Sequence, residues 1–255
     1  MVKKQSPEKI LTSAGVSSMN RQNLNTEDKS MTKAASMLKD ALAKGRKTLS
    51  EYDSKRFLAL FGIPVSRDIH AIDVDEAVAA AAGLGYPVAL KATGASLTHK
   101  TEVGGVVLNL KTPGEIESEG NRLLKIPGCE ALIVAEMVGG ARELVCGLTR
   151  DPHFGPAVMF GLGGILTEIL KDTVFRIAPL TTGDARSMMS DIRAVKILDP
   201  FRGEGAVDRE ALARVLLAVG QIGLEYGEIA EIDINPLKIR PNGQPVAVDA
   251  LVVLK

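Results

Sequence analysis

Near its C-terminus the sequence reads Glu231-Ile232-Asp233-Ile234-Asn235-Pro236-Leu237, and after Arg240-Pro241-Asn242-Gly243 it returns through Val246-Ala247-Val248-Asp249-Ala250. Strict alternation makes both runs strands, with Ile232 and Ile234 on one face and Glu231, Asp233 and Asn235 on the other. Pro241-Asn242-Gly243 suits a three-residue hairpin loop, because glycine accepts the left-handed conformation that other residues avoid. Closing the turn there brings Asn235 directly opposite Asp249, with Cβ atoms roughly 5 Å apart. A carboxylate and an amide oxygen so placed suit a hard cation such as Mg²⁺, which takes few protein ligands and several phosphate or water oxygens. The same residues equally suit a hairpin whose polar face meets only water.

The 255 residues are 45% hydrophobic, enough for a substantial core in one or two domains. Lys and Arg total 31, Asp and Glu total 31, and a net charge of zero offers no broad electrostatic footprint for nucleic acid or an anionic membrane. Cys129 and Cys146 have neither metal-ligand spacing nor a partner framework, which predicts reduced, buried thiols in a cytoplasmic protein. No stretch of about 18 apolar residues occurs and the N-terminus lacks an apolar core, so neither a membrane span nor a signal peptide is expected.

Residues 1 to about 45 read as a flexible extension, the first 30 polar and without periodicity. A translation start at Met19 or Met31 is one expectation for this stretch; a genuine flexible tail is the other. Order begins at Ser50, a cap for a helix carrying Phe57, Leu58 and Phe61 until Gly62 and Pro64. Strand 67–72, a helix opened by Asp73 and Glu76, strands 88–92 and 106–110, a helix over 113–125 and strand 131–137 form a first α+β lobe, 46–137. A second, 138–255, holds strands 143–149, 157–160, 165–170 and 174–177, helices 183–193 and 208–225, and the terminal hairpin.

Four further segments suit chemistry. Lys91 ends an apolar strand, from which its ammonium can reach a phosphate, although surface lysines are common there. The loop Thr93–Gly105 concentrates hydroxyls, glycines, His99 and Lys100; an imidazole there can accept or relay a phosphoryl group, or be incidental. Glu136 and Glu143 flank Gly139-Gly140, where carboxylates suit an adenine edge and ribose hydroxyls or simply face water. Phe160-Gly-Leu-Gly-Gly164 lacks the last glycine of the dinucleotide fingerprint, and no G-x-x-x-x-G-K-[ST] stretch occurs.

Taken in order, Tyr86-Pro-Val-Ala-Leu-Lys91, Leu97-Thr-His-Lys100 with Val103-Gly-Gly-Val106, Gly140-Ala-Arg-Glu143, Asp151-Pro-His-Phe-Gly-Pro156, Phe160-Gly-Leu-Gly-Gly164 and Ile232-Asp-Ile-Asn-Pro236 resemble the ATP-grasp subunit of ADP-forming acyl-CoA synthetases, within the succinyl-CoA synthetase-like superfamily. The resemblance runs from about Ser50 to the C-terminus and implies an α+β ATP-grasp fold whose two lobes clamp ATP or ADP.

It further implies Lys91 on phosphate, Glu136, Met137 and Val138 at adenine, Glu143 at ribose, and Mg²⁺ on Asn235 and Asp249. His99 matches the histidine thought to pass phosphate between the nucleotide and a phosphohistidine on a CoA-binding α subunit. The implied reaction is the reversible conversion of acyl-CoA, ADP and phosphate into acid, CoA and ATP. No CoA-domain motif is visible, so activity is expected to need that partner in a hetero-oligomer. Two alternatives share the nucleotide site. A self-contained ATP-grasp carboxylate ligase would need no relay histidine, and a regulatory nucleotide-binding subunit would have lost turnover.

Overall fold

The terminal hairpin forms in the expected register: Leu237, Lys238 and Ile239 pair with Ala247, Val246 and Pro245, and Arg240 N–H donates to the Gln244 carbonyl at 2.9 Å. Gly243 takes a φ of 87°, as the three-residue loop requires. The computed structural model describes residues 17–94, 97, 103–164 and 170–255, with side chains described from residue 29 onward.

The described helices are α1 (Ser17–Ala43), α2 (Glu51–Ala59), α3 (Val74–Leu84), α4 (Pro113–Leu123), α5 (Thr182–Asp191) and α6 (Arg209–Glu225). The strands are β1 (Asp68–Ala71), β2 (Val88–Thr93), β3 (Val106–Leu110), β4 (Ala131–Glu136), β5 (Arg142–Asp151), β6 (Gly155–Leu162), β7 (Thr173–Ile177), β8 (Ile229–Ile239), β9 (Pro245–Ala247) and β10 (Leu251–Leu254). They make a four-stranded sheet, β1-β4-β2-β3, and a six-stranded sheet, β10-β8-β5-β6-β7, with β9 beside β8. All pairings between these strands are antiparallel, and an isolated parallel bridge joins Val65 to Ala247. The expected α+β fold is present. A strand expected over 165–170 falls almost entirely outside the described residues.

Period-two alternation assigns the faces of the first sheet. Val88, Leu90 and Ala92 of β2, with Leu132 and Val134 of β4, pack among the side chains of α3 and α4. Ala89 and Lys91, with their partners Ala135 and Ile133, turn to the opposite face. Lys91 is therefore directed inward, toward α2. In the second sheet, Leu144, Cys146, Phe160, Ile232, Ile234 and Leu237 join the core built with α6, whose Leu212, Val215, Leu216, Val219 and Ile222 recur at helical spacing. Burial, then Asp233, pushes the Cys146 thiol far above its ordinary range, and Cys129 is half-buried.

Three expectations are corrected. The extension over 1–45 is not loose throughout: α1 is helical from Ser17, and Ala34, Leu38 and Ala41 are buried in the second sheet's core. Nor do residues 46–66 belong with the first sheet, since Leu49, Phe57, Leu58 and Ile63 share that same core. Their backbone docks on the second sheet's edge: Leu49 N–H donates to Val252 O, Leu254 N–H to Lys47 O, and Ser66 N–H to Ala247 O. The first sheet's larger apolar face is covered by α3 and α4, so Phe57 and Leu58 of α2 pack into the second sheet's core while Tyr52 covers Ala89, Ile133 and Ala135 on the first sheet's other face. Finally, the returning strand stops at Ala247; Val248–Ala250 form a break before β10.

Arg142, at the start of β5, is 1% exposed. It donates to Glu204 Oε2 at 3.1 Å and to the carbonyls of Asp199 at 3.1 Å and Gly205 at 2.6 Å. Arg142→Ala strands these acceptors and is expected to destabilise the fold by about 3–5 kcal/mol. Urea denaturation would measure it; a loss below about 1 kcal/mol would refute the account.

Candidate nucleotide and metal site

A cavity of about 720 Å³ opens where the two sheets meet. Asp233 and Asn235 of β8, Asp249 and Ala250 of the strand break, and Leu251 of β10 line one side. His70 of β1, Ala92 and Thr93 of β2, Gly94, Leu97, and Glu130 and Ala131 at the start of β4 line the other. The connection from Gly45 to Glu51, with Asp53, completes the wall.

Asn235 and Asp249 line the same cavity. The hairpin register continues past β9, because Val248 N–H donates to the Pro236 carbonyl at 3.1 Å, and it resumes with Leu251 opposite Asp233. Asn235 Oδ1 accepts from the Gly164 N–H at 3.0 Å, which leaves a second lone pair. Burial, and after it the charges of Glu231 and Asp249, raises Asp233 to about 6. Among the described residues no three His, Cys, Asp or Glu side chains form a metal-holding group. An amide and carboxylate oxygens without such a cluster fit Mg²⁺, which completes its shell with phosphate and water. They do not fit a cation needing an all-protein cage.

Lys91, expected on phosphate, is not among the residues lining the cavity; it is 4% exposed, with its ammonium donating to Glu51 Oε1 at 2.5 Å and to the Val248 carbonyl at 3.1 Å. Burial disfavours its charge, but Glu51 and Asp249 outweigh that and raise its pKa, so it is a firm cation. Lys55, 2% exposed, stands beside it and pairs with Glu51 at 3.1 Å and with Asp68. Burial still raises the Asp68 carboxyl above its ordinary value.

The residues expected at adenine and ribose do not line the cavity. Glu136, at the end of β4, pairs with Arg240 at 2.7 Å and Arg67 at 3.2 Å. Burial opposes its ionisation, yet hydrogen bonds from Arg67 and Arg240 hold it below the ordinary range. Met137 packs on Ala89, Ile133 and Ala135, and Val138 is buried. Glu143 faces Lys238 at 3.7 Å, and its carbonyl accepts from Gly163 N–H at 2.9 Å. A Cβ on Gly164, whose φ is 66°, would overlap Glu143 Oε2, so the glycine loop packs between the Glu143 and Asn235 side chains. His99 lies outside the described residues.

Sequence reasoning missed Glu51, Lys55, His70 and Glu130. Asp233 was legible as a neighbour of Asn235 on the same face, and Glu51 with Lys55 as a helical i,i+4 pair; nothing local signalled that the pair is buried.

The ATP-grasp domain family matches residues 40–254. The chain is similar to the β subunits of the ADP-forming acetate–CoA ligases I and II of Pyrococcus furiosus. It is 41% identical to the first, over 88% of this chain and 99% of that one, and 39% identical to the second, over 87% and 98%. Among solved structures it is similar to an acetyl-coenzyme A synthetase 1 of Ca. Korarchaeum cryptofilum in complex with coenzyme A and Mg-AMPPCP, its phosphohistidine segment pointing towards the nucleotide-binding site. That match has a TM-score of 0.78 and 39% identity, covering 87% of this chain and 100% of that one. Family match, fold and extent of similarity agree: the chain belongs to the ATP-grasp domain family and, within it, to the β subunits of ADP-forming acyl-CoA synthetases, the nucleotide-binding subunits of these ligases.

Proposed function

We propose that the chain works with a CoA-binding, phosphohistidine-bearing α subunit to convert acyl-CoA, ADP and phosphate reversibly into carboxylic acid, CoA and ATP. The observation that carries this reading is the composition of one cavity. Asn235 and Asp249 line one wall, and Thr93, Gly94 and Leu97, which lead into the segment bearing His99, line the other.

In this reading His99 takes the phosphoryl group from the partner's phosphohistidine, with one P–N bond breaking as another forms, and then yields it to the β-phosphate oxygen of ADP. Lys91 supplies a fixed positive charge beneath the phosphates, and Asn235 and Asp249 hold Mg²⁺. When bound, the ion would neutralise phosphate charge during transfer. Glu136, Met137, Val138 and Glu143 receive adenine and ribose, with Glu136 accepting from the base in addition to, or in place of, its arginine partners. We assign the lobes to residues of about 67–137 and 138–255, with 34–66 packed on the second, and the enzyme to the cytoplasm. Among the described residues no helix is long and apolar enough to cross a membrane.

The test is reconstitution. The purified chain should bind Mg-ADP yet form no ATP from acyl-CoA, ADP and phosphate until a CoA-binding subunit co-purified from the native source is added. Steady turnover by the single chain would favour the self-contained ligase. Nucleotide binding with no turnover in the assembled pair would favour the regulatory reading.

A further inference from the structure

The outer edge of the second sheet is broken at Val248–Ala250, between β9 and β10, and Asp249 sits in the break. A strand break leaves backbone groups that need other partners. The chain on either side of α2 docks on the two flanking strands, as Lys47 and Leu49 pair beside β10 and Ser66 beside β9. Helix α2 thereby lies against the break itself. Its Ser54 hydroxyl, fully buried, accepts from Val252 N–H at 3.1 Å. Its Lys55 ammonium donates to the Val248 carbonyl at 2.9 Å, the same oxygen that accepts from Lys91.

Lys55 is committed to protein. Besides Val248 it donates to Ser66 Oγ at 3.2 Å and pairs with Glu51 and Asp68, which exhausts its three N–H donors. It is not among the residues lining the cavity, and its whole effect on ligand must pass through what it holds. The carbonyl it holds belongs to the residue immediately before Asp249.

We propose that Lys55, assisted by Ser54, is a positioning residue for Asp249: from α2 it fixes the backbone of the strand break so that the Asp249 carboxylate stays opposite Asn235. The inference rests on the reading that these two residues hold Mg²⁺. It makes α2 part of the metal site although no α2 side chain is offered as a ligand. Lys91 donates to the same Val248 carbonyl from the other sheet, so Lys55 is the anchor that α2 supplies.

The test measures thermal stabilisation of the full chain by ADP across a Mg²⁺ titration and, separately, by ADP with EDTA. Lys55→Met alone would bury uncompensated carboxylates, so it is combined with Asp68→Asn; Ser54→Ala is the milder second variant. The half-saturating Mg²⁺ concentration should rise at least about tenfold in Lys55→Met/Asp68→Asn, as for outer partners of metal ligands, and about threefold in Ser54→Ala, with the Mg²⁺-free ADP shift unchanged. Unchanged Mg²⁺ dependence in both variants overturns the inference. So does parallel loss of Mg²⁺-free ADP binding, which would mean that the whole site collapses. Asp249→Ala, run alongside, tests the underlying reading: if its Mg²⁺ dependence equals that of the wild type, the metal assignment itself fails. If Asp249→Ala loses that dependence while the α2 variants keep it, only the positioning role fails.

Discussion

Replacing His99 by asparagine should lower ATP formation from acyl-CoA, ADP and phosphate in the reconstituted enzyme by roughly three orders of magnitude or more, the scale of removing a nucleophile from a group-transfer site. Asparagine keeps some of the size and hydrogen-bonding capacity of the imidazole but cannot form the phosphoryl intermediate. Nucleotide affinity should change less than about threefold, because the groups assigned to adenine, ribose and Mg²⁺ lie on other elements. Radiolabelled phosphate should then accumulate on the partner and fail to reach ADP. Near-wild-type ATP formation would eliminate the relay. Equal losses of affinity and turnover would make His99 a binding or structural residue.

The second large effect is expected of Asp249→Ala. On the proposed assignment of Mg²⁺ to Asn235 and Asp249, the substitution should reduce turnover by roughly 10²–10³-fold, equivalent to several kcal/mol of charge stabilisation during transfer. The wild-type chain at Mg-ADP 100-fold above its Kd should gain about 2.7 kcal/mol of stability by mass action, and the variant should keep only the Mg²⁺-independent part. The substitution removes a charge that contributes to the raised pKa of Asp233, so Asp233 should titrate below its wild-type value of about 6. A carboxyl chemical-shift titration would follow this directly. Asp233 unchanged in Asp249→Ala would contradict the electrostatic coupling between these two carboxylates.

Much of the polar site was readable from local pattern. Alternation over 231–235, together with a sequence suited to a three-residue turn, predicts a register that sets Asn235 opposite Asp249, and β8 and β9 pair in that register. The same economy of signal located β1–β4, α3 and α4, where apolar period and capping residues coincide. Ser50 capping α2 was equally legible: its side chain accepts from Asp53 N–H.

The remainder depended on contacts that no local pattern encodes. Glu51 and Lys55 look like an ordinary exposed i,i+4 pair, yet both are buried, Glu51 in the cavity wall, because α2 crosses to the edge of the second sheet. Lys91 was expected to face phosphate from a strand end; whether its ammonium is also shared with Glu51 and Val248 depends on residues 40 and 157 positions away. Sequence by itself determined the alternating faces, the caps and the hairpin register, all set by interactions within a few residues. Only the tertiary structure decided that the returning strand breaks at Val248 and that α2 closes the break. A backbone carbonyl carries no sequence signature of the partner it will find, and the two lysines that satisfy this one meet only when both sheets are assembled.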